Sequence, residues 1–500
     1  MTQEILINIG AAEIRIAVVE GGKLQALSCE RTLGTGGGNG RSCVGDIILG
    51  RAVRVVPAVQ AAFVEIGHER AGFLGAHEAR CLAKEHNAAG AQDPAIGELV
   101  REGDEVLVQV VKDPIGEKGA RLSASVAIPG RLCVLAPHQP GVALSRRIED
   151  EPERARLAAL GEALTGDTGG DLVADAGYIF RTAAIGAEFE ALREDARRLA
   201  QNWQAIKAAR KTAKPPALLH RDLDAVERAI RDRTRGDTAR ILIDDAGAAE
   251  AARAFCRRAV PGAEDRVALF TGPGALFDLY DLESDIDGLM HPRVTLPCGG
   301  WITIERTEAL TAVDVNSGSF AESSTIEDAG LAVNLQAAQE IGRQLRLRGI
   351  GGLVVIDFIS MQDKAHEARV VAALSENLLK DGVPVTISAM SPLGLVELTR
   401  KRVREPLAAS VSESCGACAG QGVLRRPDAV AMDILRRVEA GARAAPGKVI
   451  RVHAAPEVAA WLEEQGDTLR TALARRGAPA VEFIADKTCT RERFDVGTVA

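Results

Sequence analysis

A pair of short segments separated by one amphipathic stretch limits this chain more tightly than any other feature. Ala312-Val313-Asp314-Val315-Asn316-Ser317 alternates apolar and polar side chains. In a strand, residues i and i+2 share a face, so Asp314 and Asn316 project together while Val313 and Val315 pack inward. Gly351-Gly352-Leu353-Val354-Val355-Ile356-Asp357-Phe358-Ile359 is a near-continuous apolar run interrupted by one acid. That pattern predicts a strand buried on both faces, as in a parallel or mixed sheet. Between the two lies a predicted helix from about Asp328 to Arg346. It is long enough to cross the sheet and return the second strand beside the first. A charged residue at the end of a buried strand is expensive unless it is paired or coordinated. Two carboxylates and an amide oxygen at neighbouring strand ends form the all-oxygen donor set that magnesium takes, with waters and substrate phosphate completing its shell. An ion held there polarises a phosphodiester oxygen and activates water. The residues alone are equally compatible with a bland reading: Asp314 as a turn or cap residue, and Asp357 paired with an arginine.

The rest of the chain reads as an ordinary globular protein of several domains. It has 500 residues, 46% of them hydrophobic and 26% charged, which excludes wholesale disorder, a collagen-like repeat and a small disulfide scaffold. A formal charge of −8 argues against a general nucleic-acid coat and leaves room for a local basic channel. Aromatic residues are scarce, with 11 Phe, 2 Tyr and 3 Trp, so an exposed ring is a costly use of a rare residue. No apolar run approaches the roughly 20 residues needed to span a bilayer. The opening MTQEILINIG alternates like a strand and lacks the basic start of a secretory signal. Nine scattered cysteines, an odd number, read as reduced thiols. The expected compartment is therefore the cytoplasm.

Along the chain, two strands are predicted at 5–9 and 13–19, then a glycine-rich linker at 34–40. A β-rich segment follows from Val44 to about Ala127, with a helical insertion around 79–103. Residues 145–212 have helical periodicity broken by a strand at 176–180, and Lys214-Pro215-Pro216 marks a boundary. Helix and strand alternate over 223–290. Residues 293–400 read as strand, strand, helix, strand, helix, strand, an α/β layer. A turn-rich piece at 413–422 precedes a small αβ tail at 428–500.

Cys415 and Cys418 form a CxxC knuckle among glycines. A structural zinc wants four ligands, so the chain supplies half a site. The alternatives are a redox pair, which normally opens a helix after a strand, or idle thiols. Two basic runs, Arg343, Arg346 and Arg348, then Arg400, Lys401, Arg402 and Arg404, flank both acidic strands. They are expected to contact phosphate.

Several stretches, in order across nearly the whole chain, resemble the catalytic core of the ribonuclease E/G family. They are AAFVEIG (61–67) with AGFL (71–74), VQVVKDPIGEKGARL (108–122), FRTAA (180–184), TEALTAVDVNSG (307–318), QEIGRQLRLRGIGGLVVIDFI (339–359) and GLVELTRKR (394–402). The resemblance implies that Asp314 and Asp357 bind a catalytic magnesium and that Asn316 hydrogen-bonds at the scissile phosphate. It implies that Phe63, Phe73, Lys112 and Lys118 hold RNA on an OB-fold domain of the ribosomal S-one type. Arg181 and Thr182 match a pair that senses a 5′-monophosphate. Cys415 and Cys418 match a knuckle that shares one zinc between two protomers, giving a homodimer that can pair into a tetramer.

The implied fold is a mixed α/β and α+β multidomain chain. A discontinuous RNase H-like domain (1–40 and 223–290) carries an inserted OB-fold domain (41–127) and a 5′-sensor region (128–222). A DNase I-like catalytic domain (291–411), a zinc link (412–425) and a small C-terminal domain (426–500) follow. The implied activity is magnesium-dependent cleavage of single-stranded RNA, ribosomal RNA precursors and messenger RNA among the substrates, leaving 3′-hydroxyl and 5′-phosphate ends. The chain departs from the family at Cys298, commonly a serine, at its glycine-rich linker and at 321–326. It stops soon after the CxxC, without the long scaffold of the larger ribonuclease E proteins, and so looks like the compact ribonuclease G branch. Two other classes compete: a non-catalytic RNA-binding or ribosome-associated protein, which the intact metal trio disfavours, and a CxxC oxidoreductase.

Overall fold

The computed structural model describes residues 2–32, 42–83, 94–114, 118–166, 172–173, 176–318, 325–380, 382–418, 420–478 and 480–499. The linker at 34–40 and most of the 321–326 segment fall outside them, as does the middle of the helical insertion. Of that insertion, the flanks show only single turns, Ala76–Ala79 and Ile96–Leu99. The chain divides into two compact units, Met1–Pro406 and Leu407–Ala500.

In the first unit, three antiparallel strands open the chain: Gln3–Ile9, Glu13–Glu20 and Lys23–Arg31. The third is absent from the sequence reading. Its sequence, KLQALSCER, is mixed enough to hide the alternation, and pairing with its neighbour supplies what periodicity lacks. Strand Thr238–Ile243 joins this sheet in parallel beside the first strand, so residues far apart in sequence share one core. Strands Ile47–Val56, Ala61–Glu65, Gly72–Gly75, Arg121–Ser123 and Glu105–Lys112 close into a five-stranded barrel, because the first also pairs with the last. A small four-stranded sheet follows, packed by helices Glu151–Gly166 and Phe189–Arg210.

The acidic segments sit in a six-stranded mixed sheet. Its elements are β1 (Arg293–Thr295), β2 (Trp301–Arg306), β3 (Leu310–Asn316), α1 (Ile326–Leu347), β4 (Gly352–Asp357), α2 (Lys364–Leu379), β5 (Val385–Ile387) and β6 (Leu395–Arg400). The strand order is β1-β2-β3-β4-β6-β5, with only β3 and β4 parallel. The crossover helix has well-defined ends. Thr325 caps α1 by accepting from the Asp328 N–H, and Glu327 and Asp328 face the positive end of its dipole. At the other end Ile350 donates to the Leu345 carbonyl and Gly349 to that of Arg346. This is a Schellman stop, and Gly349 takes the left-handed φ of +65° it requires. The chain therefore turns back at once and enters β4 beside β3.

One face of the sheet packs Ile302, Ile304, Val313, Val315, Val354, Ile356, Val396 and Leu398 against the two helices. The prediction of a strand buried on both faces is wrong for β4: Leu353 remains 40% exposed and Asp357 is exposed. The reason is that α1 and α2 contribute to a single core on one side, leaving the Leu353-Val355-Asp357 side open.

The second unit is a three-stranded sheet. Val449–Ala454 is central, parallel to Val481–Ala485 and antiparallel to Phe494–Val499. It packs against helices Pro427–Ala444 and Pro456–Glu464.

Candidate active site

Asp314 and Asp357 are register partners on the parallel strands β3 and β4. Adjacent strands lie about 4.8 Å apart, so the two carboxylates leave the sheet side by side on its open face. Val313 and Val315 are buried on the opposite side. Asn316 lies on the open face too, and its Nδ2 donates to Asp314 Oδ2 at 2.7 Å. No arginine or lysine among the described residues forms an ion pair with either carboxylate, which removes the bland reading of Asp357 as an arginine partner. Two like charges placed abreast repel unless a cation lies between them.

The donor set fits a hard divalent ion. The described residues hold no group of three His, Cys, Asp or Glu side chains that converges like a closed metal cage. Two carboxylates and an amide leave most of an octahedron to water and phosphate, the way magnesium is usually held and zinc is not. Asn334, fully buried on α1, carries no signal in the sequence that marks it out. It donates to the Ile359 carbonyl at 2.8 Å and accepts from the Ile359 N–H at 3.0 Å. That bidentate clamp sets the backbone two residues beyond Asp357.

On the barrel, Phe63 and Phe73 are half-buried register partners, while Ala62, Val64 and Leu74 between and beside them are fully buried. The rings therefore lie on the outer wall, 6.0 Å apart and edge to face. The register extends this pair into a transverse row: Arg54 opposite Phe63, Phe63 opposite Phe73, Phe73 opposite Arg121, and Arg121 opposite Lys112. Lys118 is exposed. Sequence reasoning misses Arg54 and Arg121, because nothing in one strand's sequence tells which residue it meets on the next.

Arg181 follows strand Gly177–Phe180, and Thr182 begins a short 3-10 turn. Both line a cleft of about 960 Å³ whose wall carries nine arginine and lysine side chains against Glu30 and Asp232. Basic residues thus gather around one cleft of a chain of net charge −8. The Arg181 guanidinium donates to Asp232 at 2.7 Å and to the Gly130 carbonyl at 2.5 Å. Asp232 is shared with Arg231. Burial pushes the Asp232 carboxyl up, but the hydrogen bond and charge of Arg231, with those of Arg181, outweigh it and hold the group below its ordinary value.

The two basic runs do not form the phosphate surface expected of them. Arg346, Arg348 and Arg400 are buried. Arg346 donates to the Asn377 carbonyl, Arg348 to Gln344 Oε1 and Arg400 to the Ile350 carbonyl. Arg343 is held by Glu340 and the Leu24 carbonyl, and Arg404 by the carbonyls of Leu27, Arg346 and Leu347. Arg404 satisfies free carbonyls where α1 ends, and Arg343, Arg346 and Arg404 tie that end to strand Lys23–Arg31. Lys401 and Arg402 keep exposed side chains, and Arg402 donates to the Gly351 carbonyl.

In the second unit, Cys415 is exposed and Cys418 half-buried in a turn that ends well before helix Pro427–Ala444. Backbone N–H groups of Cys418 and Ala417 hold the Cys415 thiol below its ordinary value, and Gly422 N–H approaches Cys418 Sγ at 3.3 Å. The pair does not open a helix after a strand, which is the placement a redox motif needs.

Comparison with known proteins matches residues 127–403 to the Ribonuclease E/G family and residues 414–499 to the RNase E/G, Thioredoxin-like domain. Ribonuclease G of Escherichia coli (strain K12) is 35% identical over 99% of both chains, and Ribonuclease G of Haemophilus influenzae 34% over 99% of both. Ribonuclease E of Escherichia coli (strain K12) is 37% identical over 85% of this chain but only 39% of its own length. The family match covers more than half of the chain and the ribonuclease G relatives cover its full span. The chain belongs to the ribonuclease E/G family, on its ribonuclease G branch.

Proposed function

We propose that this endoribonuclease of the E/G family uses magnesium to cut single-stranded RNA, in the maturation of ribosomal RNA and the decay of messenger RNA. Endonucleolytic RNA processing follows from family membership over the whole chain. The observation that carries the finer reading is the in-register, uncompensated pair Asp314 and Asp357 beside Asn316 on an open sheet face. Asp314 and Asp357 would hold the ion, which supplies charge neutralisation and an activated water. Asn316 has its Nδ2 on Asp314 and its carbonyl oxygen free to orient water or the ion's shell. Its amide can instead swing to a phosphate oxygen when substrate arrives. Cleavage leaving a 5′-phosphate and a 3′-hydroxyl is the outcome consistent with this site.

The row from Arg54 to Lys112, with Lys118, suits the backbone and bases of a single strand: rings stack on any base and cations neutralise phosphate. Arg181 and Thr182 suit a 5′-monophosphate, which would take the place of the Asp232 carboxylate in the Arg181 fork. Cys415 and Cys418 would share a zinc with the same pair of a second copy, making a dimer that can pair further. No disulfide joins any of the nine cysteines, as a cytoplasmic setting favours. No helix among the described residues is long and apolar enough to cross a membrane.

The test incubates a single-stranded, A/U-rich oligonucleotide, 5′-phosphorylated or 5′-hydroxyl, with and without magnesium. Cleavage that needs magnesium and is faster on the phosphorylated strand supports the reading. Equal cleavage in a chelator refutes the metal assignment, and equal rates on the two strands refute the 5′-sensor.

A further inference from the structure

We propose that Trp301 and Arg293 form a stacking subsite for the base of the nucleotide that flanks the scissile phosphate. The inference rests on the reading of this sheet face as the RNA-cleaving one. Trp301 stands on β2 directly opposite Asn316 of β3, and Thr303, two residues on, stands opposite Asp314. Residues paired in this way share a face. The indole is therefore on the open side, about one strand spacing from Asn316, while Asp357 lies two strands across and two residues further along the sheet. A base stacked on it would belong to a nucleotide next to the one at the acidic pair.

Three observations separate Trp301 from core packing. Ile302 and Ile304 belong to the sheet's buried core, while Trp301 belongs neither to that core nor to the partly buried side chains packed around it. The chain has only three tryptophans; Trp203 is buried and Trp461 packs against the core of the second unit. The indole N–H of Trp301 bonds nothing among the described residues, so the ring is not held by a polar contact.

Arg293 supplies the second half. Its guanidinium carbon lies 4.1 Å from the Trp301 ring centroid, reaching diagonally from β1, where it is paired with Thr303. Among the described residues it makes no ion pair and no hydrogen bond. All five N–H donors are unspent, unlike those of the arginines that brace the end of α1. A guanidinium held over an indole can stack on a base and donate to a phosphate. Every base has a π-face, so the subsite adds affinity near the cut without a strong sequence preference.

The test measures binding of a fully 2′-O-methylated single-stranded oligonucleotide and steady-state cleavage of its unmodified counterpart. Trp301→Ala and Arg293→Ala are each expected to weaken binding and raise KM roughly 5- to 100-fold, with kcat changed far less. Trp301→Phe keeps most of the affinity and shows that the position tolerates change. Arg293→Lys keeps the charge but loses the plane, so it falls close to Arg293→Ala. An abasic scan of the oligonucleotide adds a readout that packing cannot mimic: one position beside the cut loses affinity in the wild type and no longer matters in Trp301→Ala.

Wild-type binding and KM in Trp301→Ala, or identical abasic penalties in both proteins, overturn the subsite. So does full rescue by Arg293→Lys, which would leave a simple phosphate contact. Inactivity of Asp357→Asn alongside any of these results overturns the subsite alone. Full activity of Asp357→Asn overturns the reading beneath it, and the subsite with it.

Discussion

Asp314 and Asp357 stand abreast on the two parallel strands of an otherwise antiparallel sheet, with an amide on one of them and, among the described residues, no ion pair to either. A like-charged pair in that position stores repulsion that a bound cation releases. Magnesium is therefore expected to raise the melting temperature of the wild type, since a ligand that binds only the folded state stabilises it. Asp314→Asn and Asp357→Asn are each expected to reduce cleavage by roughly 100-fold or more and to abolish that thermal shift. RNA affinity measured without the metal stays near wild type. A variant that keeps both activity and the shift refutes the site.

The aromatic–basic row on the barrel separates into two kinds of interaction with RNA. Phe63→Ala or Phe73→Ala is expected to weaken single-stranded RNA binding roughly 5- to 100-fold at every salt concentration. Arg54→Ala, Lys112→Ala or Arg121→Ala is expected to flatten the plot of log affinity against log salt, by about 0.7 for each phosphate left without its cation. Unchanged slopes in all three basic variants remove the row from the binding surface.

Arg346 braces the fold rather than the substrate. Removing it leaves the Asn377 carbonyl without its donor. Arg346→Ala is expected to destabilise the first unit by about 2–4 kcal/mol, in the range for losing a buried, charged hydrogen-bonding group. Denaturant unfolding measures this. The salt slope of RNA binding should not move.

The shared-zinc reading predicts one zinc per two chains by elemental analysis. Cys418→Ser, or a strong chelator, is expected to convert dimer to monomer by light scattering. A zinc-free dimer of unchanged mass rules the link out.

Alkaline pH is expected to destabilise the protein through its covered thiols. Burial raises Cys43 from 9.0 to about 12, helped by its hydrogen bond to Asp113, and burial raises Cys81 and Cys256 to about 11. Each folded value lies above the unfolded one, so the contribution is whole below pH 9 and is lost as pH rises toward 11 and 12. Melting temperature should fall across that window. Cys256→Ala should make the fall shallower, whatever it does at neutral pH.

The legible parts of the fold were those written in local pattern. The alternation around Asp314 placed its neighbours Val313 and Val315 in the core, as found. The amphipathic stretch from about Asp328 to Arg346 predicts a crossover helix, which the structure shows over Ile326–Leu347. The same reasoning failed at Leu353 and Val355, because a run of apolar residues does not reveal how many faces a neighbouring layer will cover. It failed at Arg346, Arg348 and Arg400 because charge alone does not distinguish a donor facing solvent from one facing a carbonyl or amide oxygen inside the fold.

Periodicity and spacing along the chain thus determined which side chains share a face and which segments form helix or strand, since those depend on the few residues either side. Family motifs in the chain pointed to the trio Asp314, Asn316 and Asp357, the two phenylalanines and the cysteine knuckle. Only the tertiary structure decided that Asp314 and Asp357 are register partners, that Phe63 and Phe73 stand between Arg54 and Arg121, and that Trp301 carries Arg293 beside Asn316. Strand register joins residues tens of positions apart, and it is set by the hydrogen-bonded ladder and by which face finds a partner, information that no local window contains.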